Sequence, residues 1–489
     1  MNKHFLLLLL LLIFTGCPDN QPANEPETQT ISDVPIVEEL IIERKPFDDN
    51  YTYESKKELT TDTIDESGVL LQGFHWDSCK VANKGWYKEI SDNKSEISNT
   101  FSIVWFPPST ISPDFAPQGY GPTQLNNLDS QYGSKSELKQ AISDIAPAKA
   151  IGDIVINHRA GSANWGTFTN PIWDDDFYSI CSEDEGFTQA KGDPMFKNTK
   201  RGSPDTGEVY SAFRDLDHTN AIVKKGIIDW MYDLMRTEVG FKGWRYDYVK
   251  GFDGKYIGLY NKETYPEFSV GEYWPTKTFN SSEWSTAISD WINKTANIGG
   301  VKSRAFDFVL KGNLNEAFGT KTNSAWNMTK LNDENNIFRK DPSHAVTFVD
   351  NHDTGSTQSH WPIYHKSTDS LESHVYLGYV FILTHPGYPA VAWQHYFKSD
   401  VTAQFISDMT IKGYDKTLKE LIKELIELRK STGLKSNSTF EIVGTTTSDD
   451  YTAMIDDKLI IRIGKNKFIP DAGWTLKISG DTFQIFTKD

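Results

Sequence analysis

Nine residues, GWRYDYVKG from Gly243 to Gly251, decide how the rest of the chain is read. Arg245 and Asp247 stand two positions apart, and Lys250 follows. On a β-strand, alternation by two puts Arg245 and Asp247 on one face. A guanidinium beside a carboxylate favours the charged carboxylate, and a charged, oriented carboxylate suits a covalent nucleophile or a metal site. The same pair equally serves as a structural ion pair at a strand end, and the stretch alone does not separate the two uses.

Outward from this stretch the chain alternates apolar runs with amphipathic segments. The runs are GVLLQGF from 68, FSIVWFPP from 101, IGDIVINH from 151, FKGWRYDYV from 241, FSVGEYW from 268, RAFDFVL from 304, AVTFVDNHD from 345 and HPGYPAVAW from 385. Near-continuous runs rich in β-branched and aromatic residues suit strands buried on both faces. Helical patterns lie between them: Ser134 and Glu137 form a capping box, and further helices are expected from near Ala221, Ser373 and Lys416. Eight strands with intervening helices predict a closed (β/α)8 TIM barrel over 61–157 and 219–432. Residues 158–218, rich in Gly, Asp, Asn and Trp, read as a subdomain inserted after strand three. The short alternating runs FEIVGT, YTAMID, KLIIRIG and FQIFTKD predict a C-terminal antiparallel β domain over 433–489.

The N-terminus reads as an address. Lys3, the apolar run Phe5 to Phe14 and the ending Thr15-Gly16-Cys17 have the form of an export signal too short to span a bilayer. The ending resembles a bacterial lipoprotein signal (1–17), with Cys17 as the lipidated residue. A cell-envelope lipoprotein is therefore expected, with an ordinary secreted protein as the alternative. Residues 18–60, proline-bearing, polar and acidic, read as a flexible tether. Cys79 and Cys181 remain, and their pairing depends on geometry the sequence does not contain.

A net charge of -17 argues against a nucleic-acid partner. An aromatic content of 13%, with 14 Trp and 21 Tyr, suits both core packing and flat carbohydrate-binding surfaces. Membrane contact is expected only through the N-terminal lipid, and the protein is expected to be a monomer.

In a parallel barrel the strand C-termini meet at one mouth. Asp153, Asn157 and His158, then Arg245, Asp247 and Lys250, then Glu272, then His352 and Asp353 all fall at such ends. Asp247, Glu272 and Asp353 would share a small volume, and like charges that close raise at least one pKa. A glycosidase needs such an arrangement, with one carboxylate charged and another protonated.

DIVINHR, GWRYDYVKG, GEYW and FVDNHDTGS resemble, in order, the four signature regions of the α-amylase family, glycoside hydrolase family 13. QGFHWDS, WFPPS, GYGPTQLNNLDSQYG, PDTG, DLDHTN and ILTHPGYPA extend the resemblance to plant-type α-amylases and their bacterial relatives, from about residue 68 to the end. The resemblance implies a retaining hydrolase of α-1,4-glucans such as starch or glycogen, cleaving internal bonds. Asp247 would be nucleophile, Glu272 general acid and base, and Asp353 the carboxylate that binds and distorts the sugar. Arg245 would keep Asp247 charged by lowering its pKa. His158 and His352 would bind sugar hydroxyls, Tyr120 would lie under the ring, and Lys250 would contact the reducing-side glucose. It also implies Ca²⁺ held by Asn157, Asp205, Asp215 and the Gly251 carbonyl, joining the insert to the barrel. Val209 stands where such relatives often carry aspartate, which leaves the number of calcium ions open. Two other readings are a glucanotransferase of the same family and a non-catalytic glucan-binding lipoprotein. The second should have lost one of the three carboxylates, and this chain keeps all three.

Overall fold

Each of the eight apolar runs contributes one strand in a computed structural model of the protein. The structure describes residues 54–81, 85–161, 167–173, 176–188, 201–320, 323, 325–355, 357–358, 360–363, 373–398 and 405–488. The signal segment with Cys17 and the tether up to residue 53 lie outside the described residues.

The barrel strands are β1 Leu70–Gln72, β2 Ile103–Phe106, β3 Lys149–Ile154, β6 Gly243–Tyr246, β7 Phe268–Gly271, β8 Arg304–Phe306, β9 Ala345–Phe348 and β10 Tyr388–Ala392. They close in the order β1-β10-β9-β8-β7-β6-β3-β2, every pairing parallel. Nearly all their residues are buried, because helices cover the outside and side chains fill the inside. Between β3 and β6 the insert adds a short antiparallel pair, β4 His158–Arg159 and β5 Arg214–Asp215.

Local chemistry sets the helix limits. Ser134 and Glu137 form the expected reciprocal cap on Lys135–Asp144. Asn220 caps the helix from Ala221, which continues as π-helical turns over Trp230–Val239 and stops at Gly240, φ 104°. The RAFDFVL run divides: Asp307 ends β8 after Phe306, and its Oδ1 accepts from Leu310 N at 2.8 Å, starting the helix Phe308–Phe318. The remaining expected helices run Val375–Thr384 and Leu418–Thr432.

The C-terminal sheet has five strands: β11 Phe440–Ile442, β12 Asp450–Ile455, β13 Leu459–Gly464, β14 Trp474–Gly480 and β15 Phe483–Lys488, in the order β11-β12-β13-β15-β14. The sequence reading contained no run for β14. It is an edge strand with Leu476 47% exposed, so its apolar alternation is weak.

The expected tether also needs correction at its end. Residues 55–57 lie against the barrel: Lys56 Nζ is 2.8 Å from Asp229 and 2.7 Å from Asp233, acids one helical turn apart, Ser55 Oγ donates to Glu263 at 3.2 Å, and the Lys57 carbonyl accepts from Tyr232 at 2.7 Å. Cys79 and Cys181 are both buried and unpaired.

Candidate active site

The GWRYDYVKG stretch is shaped by what packs on it. A Cβ at Gly243 would fall 2.1 Å from the Phe268 carbonyl, so only glycine lets β6 approach β7 this closely. β6 ends at Tyr246, Asp247 N donates to the Ile154 carbonyl at 3.0 Å, and Tyr248 takes a left-handed φ of 44°. A short turn over Val249–Gly251 follows, carrying Lys250 away from the strand axis. Glu272, next after β7, is fixed by its N–H to the Tyr246 carbonyl at 2.9 Å.

Arg245, fully buried, is the hub of the mouth. Nη1 lies 2.8 Å from Asp153 Oδ1 and 2.7 Å from Asp247 Oδ1, and Nη2 lies 2.8 Å from Glu272 Oε2. The β3–β6 register sets Asp153 directly beside Arg245. Arg245 was expected to hold Asp247 below the ordinary carboxylate range. Burial outweighs that pull, and Asp247 is pushed up to about 6. One guanidinium is divided among three carboxylates, so none receives its whole attraction. Asp153 likewise rises to about 6 through burial.

Glu272 rises to about 7, first through burial and then through the charge of Asp247, against the pull of Arg245 and Lys250. Asp247 is further favoured in its charged form by a hydrogen bond with Glu272. Asp353 is raised well above its usual value by burial and by Glu272. Asp247, Glu272 and Asp353 are each only 8% exposed. The three carboxylates expected to meet do meet, with Asp153 as a fourth.

His352 links this cluster to an aromatic wall. Gln72 Nε2 is 2.7 Å from its Nδ1, Tyr120 Oη is 2.8 Å from its Nε2, and Asp353 Oδ2 is 3.3 Å from the same nitrogen. A neutral ring accepting from Gln72 at Nδ1 carries its proton on Nε2. Burial and Arg245 keep it neutral by lowering its pKa. Tyr120 donates to Asp153 Oδ2 at 2.9 Å and stacks on His352 and on Trp76 at centroid separations of 5.5 and 6.2 Å. Trp105 Nε1 donates to the same oxygen of Asp153 at 3.0 Å.

His158 is tied to the aromatic wall through Tyr120. Its Nε2 donates to the Tyr120 carbonyl at 2.9 Å and its ring stacks on Tyr210 of the insert at 4.3 Å. Lys250 Nζ donates to Thr276 Oγ1 at 2.6 Å and lies 3.6 Å from Glu208 of the insert. Gln72, Trp76, Trp105, Asp153 and Tyr210 were not assigned site roles from sequence. Asp153 had a usable signal, since it ends a strand as Arg245 does. The others are ordinary core-type residues until the barrel closes.

Asn157, Asp215, Asp205 and Gly251 also come together. Asn157 Nδ2 donates to Asp215 Oδ1 at 3.2 Å, and a Cβ on Gly251 would fall 2.0 Å from Asn157 Oδ1. Asp205 Oδ2 is buried without a hydrogen-bond partner among the described residues. Burial and the neighbouring Asp205 push Asp215 up to about 9. Among the described residues no three His, Cys, Asp or Glu side chains converge as a metal cage. The donors present are two carboxylates, an amide and a backbone carbonyl, a hard oxygen set with one oxygen unused, which fits calcium.

The comparisons agree with this architecture. Residues 431–487 match the α-amylase C-terminal β-sheet domain. A probable α-amylase 2 of Arabidopsis thaliana is 32% identical over 433 residues, covering 86% of this chain and 94% of the relative. The chain belongs to the α-amylase family. A second relative, the chloroplastic α-amylase 3 of the same plant, is 33% identical over 438 residues, 86% of this chain, and the chain spans only 44% of its length. The crystal structure of an α-amylase from Geobacillus thermoleovorans, complexed with acarbose, superposes with a TM-score of 0.62 at 16% identity, covering 87% of this chain and 99% of that one. This family member has the barrel, the C-terminal sheet and a buried carboxylate cluster at the mouth.

Proposed function

We infer that the protein is an endo-acting hydrolase of α-1,4-glucans that works by double displacement with retention. The observation that carries this reading is the single guanidinium of Arg245 held at once by Asp247 and Glu272. Two carboxyls tied to one planar group lie close together, as retention requires, without the wider gap an inverting enzyme keeps for water. Glu272 enters the reaction protonated and gives its proton to the departing glycosidic oxygen. Asp247, charged at neutral pH, attacks the anomeric carbon. Glu272 then takes a proton from the water that releases the glycosyl group. Asp353, Asp153 and Asp247 surround the developing positive charge, and His352, with its Nε2 proton, and Tyr120 line the same subsite. His158 supports the floor through the Tyr120 carbonyl, and Lys250 serves the reducing side.

The test follows products from amylose and maltoheptaose by NMR, with the native protein and with Glu272→Gln. An α-anomer released first, with new internal cleavages, is expected. A β-anomer first overturns retention. Longer oligosaccharides from maltoheptaose alone indicate a transferase, and no new reducing ends indicate a binder.

We also propose that Asn157, Asp205, Asp215 and the Gly251 carbonyl hold Ca²⁺. Bound there, the ion supplies charge compensation and a rigid link between the insert and the turn carrying Lys250. The signal-like segment ending at Cys17 supports export as a lipid-anchored envelope protein. Loss of membrane fractionation in Cys17→Ser is the expected result, and unchanged fractionation counts against it.

A further inference from the structure

The helix Phe308–Phe318, which follows β8, is buried on every side except at Glu316, yet it carries a lysine. A lysine this deep needs a partner. Lys311 Nζ lies 2.6 Å from Asp350 Oδ1 and donates to Asn315 Oδ1 at 2.9 Å. Among the described residues, the side-chain partners of Lys311 and Asp350 lie outside the Arg245 cluster, but Asp350 opens the loop Asp350-Asn351-His352-Asp353-Thr354.

That loop is built on Asp350. Its Oδ1 accepts from Thr354 Oγ1 at 3.1 Å, and its Oδ2 accepts from Ile363 N at 3.4 Å. Thr354 Oγ1 accepts from Asn351 N at 2.9 Å, and Asn351 Oδ1 accepts from Asp353 N at 3.0 Å and Thr354 N at 2.9 Å. The far side is held by the same helix: Asn315 Nδ2 donates to the Trp361 carbonyl at 3.0 Å, and Trp361 N donates to the Thr354 carbonyl at 3.2 Å. Trp361 faces Trp274, two residues beyond Glu272, at 6.3 Å and 16°, and Trp274 stacks on Phe308 at 5.0 Å. Phe308, Lys311 and Asn315 are spaced three and four apart, so one stripe of the helix meets both the loop and the aromatic wall.

We propose that Lys311 and Asn315 are positioning residues that clamp the two ends of the loop carrying His352 and Asp353 and set Asp353 against Asp247 and Glu272. This rests on the reading of Asp353 as a carboxylate that acts on the sugar. The physical case is that a buried ion pair contributes little net stability over an apolar pair of the same size. Its value here lies in direction: a 2.6 Å contact from a buried helix fixes one end of the loop, and the Asn315 amide fixes the other.

The experiment measures kcat and KM on maltoheptaose, with thermal unfolding, for the native chain, Asp353→Asn, Lys311→Met/Asp350→Asn and Asn315→Leu. Lys311→Met alone leaves a buried charge, so the double variant removes both charges while the amide introduced at position 350 keeps a partner for Thr354. The double variant is expected to unfold within about 5 °C of native and to lose about 100-fold in kcat, with KM changed by less than roughly threefold. Asn315→Leu is expected to lose about tenfold in kcat with native unfolding. A folded double variant with native kcat, or one changed only in KM, overturns the clamp. If the double variant does not fold, Asn315→Leu decides, and native kcat there overturns it. Native kcat in Asp353→Asn sinks the assignment of Asp353 and the clamp with it. An inactive Asp353→Asn beside fully active clamp variants sinks the clamp alone.

Discussion

Two buried arginines, Arg245 at the barrel mouth and Arg214 in the insert, each sit among several acids, and the two clusters behave differently. Arg245 spreads one charge over Asp153, Asp247 and Glu272 at contact distance, and its pull on Asp353 is outweighed by burial and by Glu272. Arg214 pairs with Asp184, and its Nη2 lies 2.9 Å from Glu185 Oε1. Burial and the neighbouring Asp205 still push Asp215 up, and Asp205 Oδ2 has no hydrogen-bond partner among the described residues. The first cluster sets the carboxyls near neutral pH, where protons are exchanged. The second leaves buried oxygens that the proposed calcium would neutralise.

The sharpest way to break this contrast is at the mouth. Asp247→Asn should lower kcat by about 10⁴-fold or more and Glu272→Gln by about 10²- to 10⁴-fold, while leaving unfolding near native, measured by reducing-end release. Retained turnover in either one removes the proton-exchange reading. Arg214→Met should do the opposite, costing about 3–5 kcal/mol of stability by stranding two buried acids. Its kcat per folded molecule should stay close to native, as read by urea unfolding alongside rate.

Chelation sharpens the second half. Calcium at 100 to 1,000 times its Kd should contribute about 3–4 kcal/mol, so a chelator should lower Tm in the native protein. Asp205→Asn should abolish that difference. An equal chelator effect in the variant would move the ion elsewhere.

The pH profile gives smaller effects. Activity should fall as pH drops below about 6, when Asp247 gains a proton, and as pH rises above about 7, when Glu272 loses one. Lys250 pulls Glu272 down, so Lys250→Met should move the alkaline limb upward, by less than about one unit because Lys250 is a minor contributor. A downward shift would contradict the electrostatics described here.

Legibility in the sequence followed the range of each interaction. The eight strands were readable because buried parallel strands leave continuous apolar runs, and Ser134 with Glu137 because a cap is a local hydrogen-bond pair. The edge strand Trp474–Gly480 was not, because only one of its seven residues is buried. Asp247, Glu272 and Asp353 were legible as strand-end acids. The direction of the Asp247 shift was misjudged, since two residues of sequence show Arg245 beside it but not Asp153 and Glu272 competing for the same charge.

By itself the sequence determined the barrel, the insert, the C-terminal sheet and which acids reach the mouth, because periodicity and strand ends are written residue by residue. Only the tertiary structure decided how one guanidinium is shared, that Asp153 joins the cluster through the β3–β6 register, and that a buried lysine on the helix after β8 holds the loop of Asp353. Those outcomes depend on burial and on contacts between residues tens to hundreds of positions apart, and burial is the largest contribution to every shifted carboxyl at the mouth.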